Sequence, residues 1–295
     1  MKLSINHGAI CRVLGLEAGL QYLKELGFDN IDYTFISYDT KTVMFPENFR
    51  ERMKYTAQLL KYIGLGCNET HSPIPTRLSP KSFHFGEEMK MSTPSFADMV
   101  YALEASAILG ATQSVYHGLA VPEGGASEQY MEYNYTYFKA LEPYAKEYGI
   151  KIGIENLEKI SGNLYKVEWH ERLLDMLDSD QFYAHVDLGH AAASETTPDV
   201  YLKGLKRGRV QGLHFHDFNT QGAHVVPGLG ITDWDKVAAA LAEIGYEKDL
   251  TIEVTTHSSF PRNIFPTALK FTAESGKAYI CKFEKAKKEL SATKE

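Results

Sequence analysis

Residues 182–190 read Phe-Tyr-Ala-His-Val-Asp-Leu-Gly-His: a mostly apolar run ends on Asp187 and passes through a glycine to His190. A strand that stops on an acid and turns at once brings both side chains to one pocket. Three other short runs share this form. Glu155 lies in KIGIENL (151–157), His214 in VQGLHFHD (210–217) and Glu253 in DLTIEVT (249–255). The four side chains are separated by 32, 27 and 39 residues. A strand, a helix and two loops take roughly 30 residues or more, so the spacing reads as one ligand per consecutive βα unit. In a closed β/α barrel the C-terminal strand ends converge on one face, where residues from different strands share a metal and a substrate.

Outward from these runs, a weak repeat appears. Gly27, Gly64, Gly110, Gly149 and Gly245 each stand between an amphipathic stretch and an apolar run, where a left-handed residue ends a helix. Counting strands from these stops gives runs near 3–7, 30–35, 65–71, 113–117, 151–156, 183–187, 210–216 and 250–254. Leu14, Ala18, Leu20, Tyr22, Leu23 and Leu26 predict a helix after the first run, and Val237, Ala240, Leu241 and Ile244 predict one after the seventh. Strands alternating with helices imply a parallel sheet. A doubly wound open sheet would carry a glycine-rich phosphate turn after its first strand, and none is present. The expected fold is therefore a single-domain (β/α)8 TIM barrel over 1–295, with a C-terminal helix and a long loop near 72–94. Pro73, Pro75 and Pro80 stiffen that loop and Phe83, His84 and Phe85 form an aromatic tip, so it is expected to act as an active-site loop.

Composition narrows the partners. Lys and Arg total 31 against 38 Asp and Glu, a formal charge of −7 that repels a phosphate backbone, so nucleic acid is not expected. The start, MKLSINHGAICR, lacks the apolar core of a signal peptide, and no stretch reaches the roughly 18 apolar residues of a membrane span, so a cytoplasmic location without membrane contact is expected. Cys11, Cys67 and Cys281 are scattered without metal or disulfide spacing and read as small hydrophobes. Disorder is expected only at the C-terminal SATKE. A homo-oligomer is compatible with this composition.

Two Glu, one Asp and one His suit one divalent ion: Mn²⁺, Mg²⁺, Co²⁺ or Zn²⁺. An octahedral ion keeps open positions at which a hydroxy-ketone can chelate, and chelation acidifies the carbon beside the carbonyl. Glu155 and Glu253, three strands apart around the rim, are expected to face each other across the substrate, one removing the proton and the other returning it. A single acid at a strand end is often only a helix cap. Here, however, His71, His117, His190, His214, His216 and His224 all fall at or just beyond strand ends, which favours a shared site. His7 reads as filling the barrel mouth. His84, His170, His185 and His257 read as ordinary polar residues or as outlying supports of the site.

IGIEN after the fifth strand, HVDLGH after the sixth, HFHD followed by HVVPGLGITDW after the seventh, and TIEV at the eighth together resemble the xylose-isomerase-like TIM-barrel family. That family contains sugar-phosphate isomerases and epimerases, ketose 3-epimerases, inosose dehydratases and endonuclease IV. The resemblance spans nearly the whole chain and implies Glu155, Asp187, His214 and Glu253 as metal ligands, with Glu155 and Glu253 also as the proton-transfer pair. It implies His190 as a substrate contact, joined by His71, His117, His216 and His224, with His216 and Asp217 orienting His214. Ketose 3-epimerases carry an arginine shortly after the seventh-strand histidine, where this chain has Phe218, Asn219, Thr220 and Gln221. Endonuclease IV has an aspartate where this chain has Gly222, which argues against its third metal. The resemblance thus implies a metal-dependent isomerase or epimerase of a ketose, sugar phosphate or related polyhydroxy-ketone, working through an enediolate. An inosose-type dehydratase on the same site is the alternative, and an endonuclease IV-like phosphodiesterase is a weaker one.

Overall fold

A computed structural model describes residues 1–36, 45–75, 89–119, 128–159, 164–194, 196–220, 222–255 and 260–292. In chain order the strands are β1 (Leu3–Asn6), β2 (Asn30–Thr34), β3 (Gly66–His71), β4 (Gln113–His117), β5 (Lys151–Glu155), β6 (Phe182–Asp187), β7 (Val210–Phe215), β8 (Asp217–Asn219), β9 (Gly222–Val225) and β10 (Leu250–Ile252). The helices are α1 (Gly8–Leu14), α2 (Leu16–Glu25), α3 (Phe49–Ile63), α4 (Pro94–Leu109), α5 (Glu128–Tyr148), α6 (Val167–Leu177), α7 (Leu188–Ala192), α8 (Pro198–Gly204), α9 (Trp234–Ile244) and α10 (Phe265–Ala292). β1 to β7 and β10 form a closed parallel barrel, sealed where Leu3 and Ile5 pair with Leu250 and Ile252. β8 and β9 form an antiparallel hairpin on the rim. The chain is therefore a single-domain (β/α)8 TIM barrel, and all eight barrel strands fall on the runs expected from the sequence.

The apolar core is a ring between sheet and helices. Ile5, Ile31, Ile152, Ile154, Val186, Leu213, Phe215 and Ile252 are buried, and each such side chain contributes roughly 1.5–3 kcal/mol relative to exposure. Contacts fix the outward direction: the Phe215 ring lies 4.6 Å from Trp234 of α9, and Tyr116 Oη donates to Met99 O of α4 at 2.7 Å. Alternation along the strands turns the intervening residues inward. Those are Asp32, Glu69, His71, Glu155, Tyr183, His185, Asp187, His214, Thr251 and Glu253, all buried. Barrel interiors are usually filled by bulky branched side chains. This one is polar along its axis. Gly212 makes room for it, since a Cβ there would lie 2.3 Å from His185 Nδ1.

Two local expectations differ from the structure. The helix expected from Leu14 onward is split, because Gly15 adopts φ 86° and ψ 159°, which no helix accommodates, so Leu14 ends α1 and α2 begins at Leu16. At the other end α10 runs through Ser291 and Ala292, inside the stretch expected to be disordered, with Ser291 Oγ donating to Lys287 O at 3.0 Å. The five glycine stops all have positive φ, as helix termination requires. Phe83, His84 and Phe85 of the expected active-site loop, with Pro80 and His257, lie outside the described residues. No helix among the described residues is long and apolar enough to cross a membrane.

Candidate active site

Glu155, Asp187, His214 and Glu253 each place one ligand atom within 4.8 Å of the others at the C-terminal mouth of the barrel. His214 Nδ1 is the centre of the group. It lies 2.8 Å from Glu155 Oε1, 3.4 Å from Glu253 Oε2 and 3.8 Å from Asp187 Oδ2. Glu155 ends β5 and Asp187 ends β6, paired in register with His214 of β7, so the ladder itself sets these separations. Asp187 also begins α7: its Oδ1 accepts the backbone N–H of His190 at 2.7 Å while Oδ2 faces the cluster. Gly189 is required there, because a Cβ would come within 1.9 Å of the His216 ring.

Asn156 locks this corner. Its Oδ1 accepts the Asp187 N–H at 2.7 Å, its Nδ2 donates to Asp187 O at 2.9 Å, and its carbonyl lies 3.0 Å from His190 Nδ1. The remaining histidines surround the cluster. His117 Nε2 and His71 Nε2 lie 2.9 and 3.3 Å from Glu155 Oε2. His224 Nδ1 lies 3.4 Å from Glu253 Oε2, and its ring stacks on His216 with centroids 4.2 Å apart. His190, His216 and His224 converge, but both His216 nitrogens are engaged, Nε2 by Asp187 Oδ2 at 2.8 Å and Nδ1 by the His224 N–H at 2.9 Å.

The residue pair expected to orient His214 does not do so. His216 bonds Asp187, as above. The Asp217 carboxylate instead accepts the N–H groups of Phe218, Gly228 and Thr232 and the Trp234 indole N–H, at 2.9 to 3.2 Å. The reason is geometric: alternation after β7 turns Asp217 away from the axis and into the loop that follows. Missing from the sequence reading were Asp32, Glu69 and Asn6. Each lies in a run already assigned as strand, and Glu69, like His185, sits two positions before a rim residue, on the same inward face. That parity is the signal that could have found them.

Burial alone raises the pKa of a carboxylic acid and lowers that of an imidazole. At Glu155 burial is outweighed by His214 and His117, which hold the carboxyl well below its ordinary value. At Asp187 burial is outweighed by His190 and His216, and at Glu253 by His214 and His224, so both are also lowered. Burial likewise loses at His214, where Glu253 and Glu155 drive the pKa well above its usual range, and at His71, which Glu155 takes up to about 9. At His117 burial wins and the pKa falls. The cluster is thus charged carboxylate around protonated imidazole. Three acidic oxygens and one nitrogen suit a divalent ion, which on binding would displace the His214 proton and bring one more positive charge to the three carboxylates. The residues present fit such an ion.

Beside Glu253 a cleft of about 200 Å³ opens between the ends of β1, β2 and β10, lined by Asn6, Arg12, Thr34, Ile36 and Thr255 among others. Its lining is mixed, with Gly8, Ala9, Ile36 and Val254 beside the polar groups.

A model of the xylose isomerase-like TIM barrel matches residues 20–275. An uncharacterised protein of Methanocaldococcus jannaschii is 28% identical over 160 residues, covering 52% of this chain and 54% of its own length. The chain thus spans about half the length of that relative. Among solved structures, L-ribulose 3-epimerase superposes with a TM-score of 0.72 at 17% identity, covering 99% of this chain and 97% of the other. The IOLI protein with a bound zinc atom superposes with a TM-score of 0.73 at 17% identity, covering 96% and 98%.

Proposed function

The chain belongs to the xylose isomerase-like TIM barrel family, and from that premise we propose that it is a divalent-metal-dependent isomerase or epimerase of a ketose, sugar phosphate or related polyhydroxy-ketone. The observation that carries this reading is the pair of buried glutamates, Glu155 on β5 and Glu253 just after β10, which reach the same His214 Nδ1 from strands on either side of β7. Glu155, Asp187, His214 and Glu253 hold the ion, which when bound polarises the substrate carbonyl and acidifies the adjacent C–H. One glutamate takes that proton as general base. The other delivers a proton to the opposite face of the same carbon of the planar enediolate, inverting it; delivery to the neighbouring carbon, with the hydroxyl proton passing to the former carbonyl oxygen, moves the carbonyl instead. His190, at the rim beside Asp187, and His71, His117 and His224 bind and orient hydroxyl oxygens, and His216, expected to join them, instead backs them through Asp187 and the His224 N–H. L-ribulose 3-epimerase and the zinc-bound IOLI protein, the two superposed structures, agree with this chemistry. The substrate is a small molecule, and neither nucleic acid nor a membrane takes part.

Purified protein loaded with Mn²⁺ and offered a panel of ketoses and inososes in D₂O is expected to place deuterium at the carbon beside the carbonyl of one of them. Glu155→Gln and Glu253→Gln are each expected to lower product formation at least 10²-fold, with one variant still exchanging the substrate proton. Product formation at the wild-type rate by either variant with metal bound would remove that glutamate from the chemistry. Loss of water after exchange would reassign the reaction to a dehydratase. One cluster favours a phosphodiesterase instead: His71, His117 and Glu155 come together as a second set of metal donors. The formal charge of −7 opposes it, and no cleavage of an abasic-site duplex beyond the Glu253→Gln control is expected.

A further inference from the structure

Beneath the rim the barrel axis holds a second polar layer that proton transfer does not use: Asp32, Glu69, His185 and Thr251, all buried. Among the described residues, His214 joins both layers, grouped with Glu69 and His185 below and with Glu155, Asp187 and Glu253 above. Its Nδ1 faces the three rim carboxylates, and its Nε2 points down the axis, buried and without a hydrogen-bond partner. The Asp32 carboxylate lies below it, with Oδ2 3.8 Å from His214 Nε2 and Oδ1 likewise buried and unpaired. A buried imidazole nitrogen without a partner is costly, and so is a carboxylate beside it with one oxygen unpaired, unless the two groups act on one another. A histidine that gives one nitrogen to a metal nearly always donates its other N–H to a carboxylate, carbonyl or water, which fixes its tautomer and ring angle.

We infer that Asp32 is the positioning residue for His214: its carboxylate accepts the Nε2–H and so presents the Nδ1 lone pair to the rim. Glu69 is the competing acceptor, and its oxygens are already taken, Oε1 by the Thr251 hydroxyl and Oε2 by Gln113 Nε2 at 3.0 Å. His185 packs its ring edge-on to His214, with centroids 4.3 Å apart, and the His71 ring stacks nearly parallel to it at 5.5 Å, so the two rings restrict how the His214 ring can turn. Asn6 extends the same support to a second ligand. Its Nδ2 donates to Asp32 Oδ2 at 2.6 Å and lies 3.5 Å from Glu253 Oε1. One buried carboxylate thus sets the aim of His214 directly and of Glu253 through Asn6.

This inference rests on the proposed metal site, so its test separates the two. Metal affinity of wild type, Asp32→Asn and Glu69→Gln is measured with Mn²⁺ and Zn²⁺ by chelator competition, together with the Tm of each metal-free protein. Wild-type binding with a 10- to 100-fold weaker Asp32→Asn, a Glu69→Gln within about threefold of wild type, and similar Tm values are expected. Equal affinity in wild type and Asp32→Asn overturns the role of Asp32 alone, and an equal loss in Glu69→Gln assigns the effect to net charge in the layer. A wild type that binds neither ion overturns the metal site itself. Should Asp32→Asn fail to fold, nitrogen-15 NMR of labelled histidines in Zn²⁺-loaded wild type decides: His214 is expected as the tautomer protonated on Nε2 with a slowly exchanging proton. A fast-exchanging proton there, or metal on Nε2, sinks the proposal.

Discussion

Asn156 follows Glu155 by one position, yet its work is done on Asp187, 31 residues away, through the two hydrogen bonds that clamp that residue's backbone. Asn156→Ala removes both partners of buried groups at once. The expected result is a loss of about 1–3 kcal/mol in unfolding free energy and a metal affinity at least tenfold weaker, because Asp187 and His190 lose their fixed start on α7. Urea denaturation and chelator competition check both, and a variant that loses stability but binds metal as wild type would limit Asn156 to a structural part. Nothing in the sequence exposes this role. The motif IGIEN shows an asparagine after an acid at a strand end, but which backbone it reaches depends on the β5–β6 register, which only the folded sheet supplies.

At the scale of elements, the rim hairpin and the loop after it hang on a single side chain. Asp217 gathers three backbone N–H groups and an indole N–H from residues 218 to 234, so it shapes the segment that carries His224 into the site. Asp217→Ala is expected to destabilise the protein by about 2–4 kcal/mol and to raise protease cleavage between 218 and 233, with a smaller change in metal affinity than Asp32→Asn produces. A variant with unchanged cleavage and stability would show that β8 and β9 stand without it. The barrel strands were legible because apolar runs and glycine stops recur along the chain, and the clustering of Glu155, Asp187, His214 and Glu253 because each lies near the end of a run. The hairpin was not: Phe218, Asn219 and Thr220 lack the alternation of a half-buried strand, and β8 and β9 are held by one carboxylate rather than by an apolar face. His185 was underread for a related cause, since a single polar residue inside an apolar run gives no hint that the barrel interior itself is polar.

At the scale of the whole molecule, buried imidazoles set how the metal-free protein answers to pH. Burial lowers His7 and His170 to about 4, against an unfolded value near 6.5. In that window the unfolded chain binds protons that the folded one refuses, so this stability is intact above pH 6.5 and is lost as pH falls toward 4, up to about 3 kcal/mol for each ring. His71 has the opposite sign: raised to about 9, its contribution is complete below pH 6.5 and is lost as pH climbs through 9. Urea midpoints of the metal-free protein at pH 4.5, 6.5 and 9 are expected to peak at the middle value. His170→Phe, which leaves the Tyr201 hydroxyl bonded to Leu164 O, is expected to flatten the acid side; an acid slope equal to that of wild type would clear His170 of the effect. The division of the barrel into a greasy ring and a charged axis also bears on how such a protein changes over generations. Apolar packing is concentrated in the ring and titratable groups on the axis, so aliphatics in the ring can drift among themselves without disturbing the charged groups. Neighbours one step apart on a strand, Ile154 and Glu155 or Leu213 and His214, thus meet two different demands: close packing for one, charge balance for the other.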